Sequence, residues 1–288
     1  MSSASQSVYH SPPAAKDAGG PLVRLLDASR PIVMGILNVT PDSFSDGGRF
    51  LDPAAAIEHA RRMVAEGADI IDVGAESTRP YGTATPVSLS EEVRRLEPVL
   101  AAVAGLGVPV SIDTMKAPVA ASALAAGASI VNDVWGLQCD PDMAGVVARH
   151  GVPVIVMHNR ETADPAIDIM ADIAAFFARS LDLAARAGIS DDRIVLDPGI
   201  GFGKTPEQSL TALARLDQLK AFGLPLLVGA SRKRFIDKVS PAPPDRRLGG
   251  SLAAHLLAVA GGARIIRAHD VAETVQALKV AAAIRAAK

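Results

Sequence analysis

A series of polar residues stands at the ends of short aliphatic runs, and their types sort into two chemistries. Asp113, Asn132 and Asp197 offer carboxylate acceptors and one amide, a set suited to the donor and acceptor edge of a flat nitrogen heterocycle carrying an amino group. Lys233, Arg267 and His269 come late in the chain and suit an anion. Asn38 closes the first run. A single amide is a poor metal ligand, but it could serve a Mg2+ that keeps most of its waters and is held mainly by substrate phosphates. Thr78 follows the second run and His158 ends the fifth. Each residue also has a plainer use as the cap of a turn or of the next helix, and Gly199, Gly201 and Gly203 fit a tight turn as well as a phosphate cradle. The succession is what points to an active-site face, because a face built for stability has no use for one polar strand end after another. No His, Cys or carboxylate spacing suits zinc, and His59, His150 and His255 fall inside helical patterns.

To act together, these residues need a scaffold that gathers strand ends. Residues 31–37, 68–74, 108–113, 128–133, 151–158, 193–197, 223–229 and 261–270 read as strands. Helical patterns occupy 54–66, 90–104, 117–126, 143–150, 167–187, 207–221 and 251–260, with a last alanine-rich helix after 270 and a polar, proline-rich loop through Pro244. Three echoes, Glu66-Gly-Ala-Asp-Ile-Ile, Ala126-Gly-Ala-Ser-Ile-Val and Gly261-Gly-Ala-Arg-Ile-Ile, each put a helix-ending glycine just before a strand. Eight βα units in a chain of 288 residues predict a closed (β/α)8 barrel over 21–288, a single domain of the α/β class. An open doubly wound sheet is the alternative, but no Gly-x-Gly-x-x-Gly turn follows the first strand. Two long polar stretches, 39–50 and 77–88, are too rich in Gly, Pro, Ser and Thr to bury much apolar surface by themselves.

Hydrophobic residues make up 49% of the chain and aromatics only 3%, so the core is aliphatic, as layered strands and helices require. With 29 basic and 31 acidic residues, nothing in the charge points to nucleic acid or an anionic membrane, which leaves a small molecule as the expected partner. Cys139 is the only cysteine, which excludes an intrachain disulfide and suits a reducing cytosol. Residues 1–20, rich in Ser, Ala, Pro and Gly and without an apolar core, resemble no signal peptide and are expected to form a disordered tail, so a cytoplasmic location is expected.

Taken with their order, the motifs resemble the dihydropteroate synthase family. They are residues 34–48, Met-Gly-Ile-Leu-Asn-Val-Thr-Pro-Asp-Ser-Phe-Ser-Asp-Gly-Gly, then Glu76-Ser-Thr-Arg-Pro80, Ser111-Ile-Asp-Thr114, Asn132-Asp133, Asp197-Pro-Gly199 with Gly201-Phe-Gly-Lys204, Ser231-Arg-Lys-Arg-Phe235 and Arg267-Ala-His-Asp270. The match runs from about residue 31 to the end, and its first and sixth motifs are specific. Ala75, Tyr81 and Ser209 depart from the family's usual residues and bear on loop geometry alone. The resemblance implies a transferase that condenses (7,8-dihydropterin-6-yl)methyl diphosphate with 4-aminobenzoate in folate synthesis, with Mg2+, in a homodimer open to sulfonamides. It implies that Asp113, Asn132, Asp197 and Lys233 hold the pterin, that Asn38, Arg267 and His269 serve the diphosphate and metal, and that Thr78, Arg79 and Ser231 border the aminobenzoate. Thr78 also reaches the pterin diphosphate in this reading, and Asp42, Arg79 and Lys233 take catalytic parts. Two rivals are a methyltetrahydrofolate-binding domain of a corrinoid methyltransferase, which would grip a pterin without the 42–48 or 231–233 motifs, and a Schiff-base aldolase using Lys233.

Overall fold

Strands that are aliphatic on both faces must be covered on both, and this chain does so by closing its sheet and ringing it with helices. The computed structural model describes residues 21–40, 52–76 and 87–287. Among them run β1 (Ile32–Asn38), β2 (Ile70–Gly74), β3 (Val110–Asp113), β4 (Ile130–Asp133), β5 (Val154–Met157), β6 (Ile194–Asp197), β7 (Leu226–Val228) and β8 (Ala263–Ala268). They pair in parallel and in chain order, and β8 returns to β1 with Ile32 opposite Ile265 and Met34 opposite Arg267. The (β/α)8 barrel is therefore as expected.

Helices α1 (Pro21–Leu26), α2 (Pro53–Ala65), α3 (Leu89–Ala104), α4 (Ala117–Ala125), α5 (Met143–His150), α6 (Ile169–Ala187), α7 (Pro206–Ala214), α8 (Arg234–Val239), α9 (Leu248–Gly261) and α10 (Val271–Ala286) complete the described elements. Their ends follow local chemistry. Asp52 accepts from Ala54 N at 2.9 Å with Pro53 in the first turn of α2, and Thr205 and Gln208 form a reciprocal capping box at α7. Gly151 and Gly188 close α5 and α6 in the left-handed conformation. No described helix is long and apolar enough to cross a membrane.

Side-chain parity divides the core in two. Ile32, Met34, Ile70, Ile130, Ile155, Val195, Leu227 and Ile265 point inward and fill the barrel, and Leu22 of α1 plugs its amino end. The alternate residues, among them Val33, Ile71, Val131, Leu196 and Ile266, pack outward against the helices.

Two expectations need correction. The helix expected over 207–221 ends at Ala214 and gives way to a 3-10 turn, Leu216–Phe222, because Leu216 and Leu219 are both buried and three residues apart, the spacing of that tighter helix. The expected loop before α9 contains α8 and a 3-10 turn at Pro244–Arg246, and α8 is short enough for Phe235 and Ile236 to be its whole buried face. The 1–20 tail lies outside the described residues, as do Asp42, Thr78 and Arg79.

Candidate active site

The inward positions that are aliphatic at the floor of the barrel turn polar one pleat higher. Ile70 is followed inward by Asp72, Ile130 by Asn132, Val195 by Asp197 and Ile265 by Arg267. Arg267 binds the group together: its Nε donates to Asp72 Oδ2 at 2.6 Å and its Nη2 to Asp113 Oδ2 at 2.8 Å. Asn132 Nδ2 donates to the same Asp72 oxygen at 3.1 Å. Asp72 is fully buried and was missed in the sequence, although a lone carboxylate inside the apolar Ile70-Ile-Asp-Val run is a signal once strand parity is applied. The adjacent Asp133 faces the other way, where its carboxylate accepts from Trp135 N and Leu137 N and shapes a turn.

Asp197 is 4% exposed at the end of β6, and its Oδ1 accepts from Gly199 N at 2.7 Å. Lys233 lies beyond β7, just before α8; its Nζ donates to the Ile200 carbonyl and sits 4.5 Å from the centroid of the Phe202 ring. Burial lowers the Lys233 ammonium to about 7 while Asp197 pulls it upward. Burial raises both Asp197, against the pull of Lys233, and Asp113, which is pushed up to about 7 against the pull of Arg267. Among the described residues, Asp72 Oδ1, Asp113 Oδ1 and Ser111 Oγ are buried without a hydrogen-bond partner. Such acceptors match a ligand edge rich in N–H groups.

Asn38 is half-buried at the last position of β1, opposite Gly74, which in turn pairs with Asp113. The anion-side residues meet at the other flank: Ser231 Oγ accepts from His269 N at 3.2 Å and lies 3.0 Å from its Nδ1. Arg232 ion-pairs with Asp270, tying the β7 loop to the end of β8. Both flanks of residues 77–86 are pinned, since Lys116 Nζ donates to Glu76 (2.5 Å), Glu92 (2.6 Å) and the Val87 carbonyl (2.9 Å), while Val87 N donates to Glu76.

His158 departs from the expected arrangement. Inward parity on β5 belongs to Ile155 and Met157, so His158 turns outward, fully buried, with its ring 4.9 Å from Phe176. Its Nε2 lies 2.9 Å from Asp172 of α6, and its Nδ1 is 2.6 Å from the Nζ of Lys204.

Known proteins resemble this chain over most of its length. The profile of the pterin binding enzyme family matches residues 34–269. The dihydropteroate synthase of Bacillus subtilis (strain 168) is 46% identical over 250 residues, covering 86% of this chain and 87% of that protein. A dihydropteroate synthase from Clostridium difficile, solved in the presence of pteroic acid, superposes with a TM-score of 0.85 at 48% identity over 89% of this chain and 97% of its own. That of Xanthomonas albilineans, solved with 4-aminobenzoic acid, gives 0.86 at 45% identity over 91% of this chain and 94% of its own. With its family profile spanning most of the barrel and relatives of this similarity, the chain belongs to the dihydropteroate synthases of the pterin-binding enzyme family.

Proposed function

We propose that the mouth of this barrel condenses (7,8-dihydropterin-6-yl)methyl diphosphate with 4-aminobenzoate, giving 7,8-dihydropteroate and diphosphate in folate biosynthesis. The observation that carries this reading is the convergence of Asp113, Asn132, Asp197 and Lys233 around buried, unpartnered acceptors, next to a second set of cationic and hydroxyl groups at the ends of β7 and β8. Asp113 and Asp197 accept from the amino and ring N–H groups of the pterin, while Asn132 and Lys233 supply donors to its acceptor edge. Arg267, already held by two carboxylates, keeps the remaining face of its guanidinium for the ring and diphosphate, with His269 and Asn38 beside it. The C–O bond to diphosphate breaks with its electron pair leaving on oxygen, the amine of aminobenzoate forms the new C–N bond, and the amine proton passes to solvent or to the departing diphosphate.

The described residues hold no group of three or more His, Cys, Asp or Glu that could hold a metal ion. Asn38, half-buried at the end of β1, would supply one oxygen to a Mg2+ held mainly by substrate phosphates and water. Bound there, the metal would neutralise charge on the leaving group. Ser231 borders the aminobenzoate side with Thr78 and Arg79, and Asp42 and Arg79 take part once diphosphate with Mg2+ gives Arg79 its counter-charge, so aminobenzoate binds second. Exposed Leu257 on α9 and Val280 and Ile284, one turn apart on neighbouring α10, support a homodimer. A cytoplasmic location follows from the pathway.

The test is diphosphate release by purified protein given both substrates and Mg2+. A pterin-gripping module releases none, and an aldolase would leave a borohydride-trapped substrate adduct on Lys233. Labelled aminobenzoate that binds equally well with and without diphosphate and a pterin would remove the ordered mechanism; sedimentation measures the dimer. A sulfonamide should compete with aminobenzoate and not with the pterin.

A further inference from the structure

Behind the pterin side of the site runs a chain of buried polar groups that no step above uses. Lys204 is 1% exposed, and its Nζ donates to His158 Nδ1 (2.6 Å), Gly199 O (2.9 Å) and Phe202 O (3.1 Å). A carboxylate can only accept, so His158 Nε2–H donates to Asp172, and in a neutral ring Nδ1 then carries the lone pair that faces Lys204. Asp172 is in turn paired with Arg160 at 2.8 Å, and this pair lies partly exposed on the outer side of the barrel.

The other end of the chain is the turn after β6. Gly199 is its junction, because its N–H donates to Asp197 Oδ1 while its carbonyl accepts from Lys204. Its φ is +63°, and a Cβ there would fall onto the carbonyl of His158, so the turn is seated directly on the end of β5. Two lysines thus grip one turn from opposite sides, Lys204 from outside through Gly199 and Phe202 and Lys233 from inside through Ile200. Burial and the charge of Lys204 together hold His158 down at about 3, which keeps its ring neutral and its Nδ1 available as an acceptor.

We propose that Asp172, His158 and Lys204 form a positioning relay that sets the orientation of Asp197 and Lys233, so that a carboxylate on the outside of the barrel governs affinity for the pterin and not for aminobenzoate. The proposal rests on the pterin-binding reading given above. None of the three residues needs to touch substrate.

The experiment combines calorimetric titration of 6-hydroxymethylpterin plus diphosphate with steady-state KM values for both substrates. Lys204→Met should weaken pterin binding about tenfold, as expected for losing one charge-assisted hydrogen bond. Asp172→Ala, at the solvent side, should weaken it about threefold and leave the KM for aminobenzoate unchanged. Asp172→Asn, which keeps an acceptor for Nε2–H, should restore wild-type affinity, and Asp172→Ala should add nothing in the Lys204→Met background. In wild-type protein, 15N spectra should show His158 Nδ1 unprotonated. Wild-type protein that binds no pterin overturns the reading of the site and the relay with it. Wild-type pterin binding left unchanged by Asp172→Ala, or equal losses for both substrates, overturns the relay alone.

Discussion

At the amino end of the barrel the inward positions are Ile70, Ile130, Val195 and Ile265, with Leu22 beneath them; two residues later on the same strands they are Asp72, Asn132, Asp197 and Arg267. Only one pleat repeat, roughly 7 Å, separates an oil-filled floor from a charged mouth. The floor gains from burial alone, since each large aliphatic side chain removed from water contributes about 1.5–3 kcal/mol. The mouth keeps acceptors such as Asp72 Oδ1 and Asp113 Oδ1 buried without partners, each costing on the order of 1–3 kcal/mol. The comparison teaches that the floor stabilises a mouth that is itself destabilising, and that the cost is recovered when a ligand supplies the missing donors.

The sharpest way to break that division is Asp197→Ala. It should reduce affinity for pterin diphosphate about a hundredfold or more, through loss of paired charged hydrogen bonds, and leave the melting temperature unchanged or higher. Calorimetry and thermal melts together check it, and unchanged affinity would show that the mouth does not read the heterocycle. Next in size is Ile130→Ala on the floor of the same barrel, two residues from Asn132. It should cost about 2–5 kcal/mol in denaturant unfolding while the folded fraction keeps its KM values. A shift in KM as large as the stability loss would mean that floor and mouth are not separable.

The smallest effects are in pH dependence, where a carboxyl in the mouth and a histidine among the outer helices should pull in opposite directions. Asp113 is raised from 3.8 to about 7 in the folded state, so the folded protein binds more protons than the unfolded chain in that window and this contribution to stability falls as pH rises through it. His255, on α9 and facing Thr274 of α10 outside the mouth, is lowered from 6.5 to about 4 by burial, with its Nε2 unpartnered. Its contribution is fully present above 6.5 and is lost as pH falls toward 4. Asp113→Asn should flatten the loss on the alkaline side and His255→Leu the loss on the acid side, as read from unfolding free energies across the range. An Asp113→Asn profile parallel to wild type would show that Arg267 keeps this carboxyl ionised throughout.

The amino-acid sequence by itself determined the repeat of eight strands and helices, because each unit carries its own local signals: aliphatic runs, Asp52-Pro53 and Thr205-Pro206 at helix starts, and glycines at helix ends. It also placed Asp113, Asn132, Asp197, Lys233, Arg267 and His269 at one end of the barrel, since polarity at strand ends is a property of single segments. Only the tertiary structure decided which way neighbouring polar residues face and whom they meet. Parity sends Asn132 inward and Asp133 outward, and leaves His158 facing helix α6 instead of the cleft. Closure of the barrel joins Arg267 to Asp72, 195 residues away, and packing of the 199–203 turn on β5 joins Lys204 to His158. The physical reason is that a buried charge is tolerable only beside a partner, and partners so distant in sequence exist only once the chain has closed.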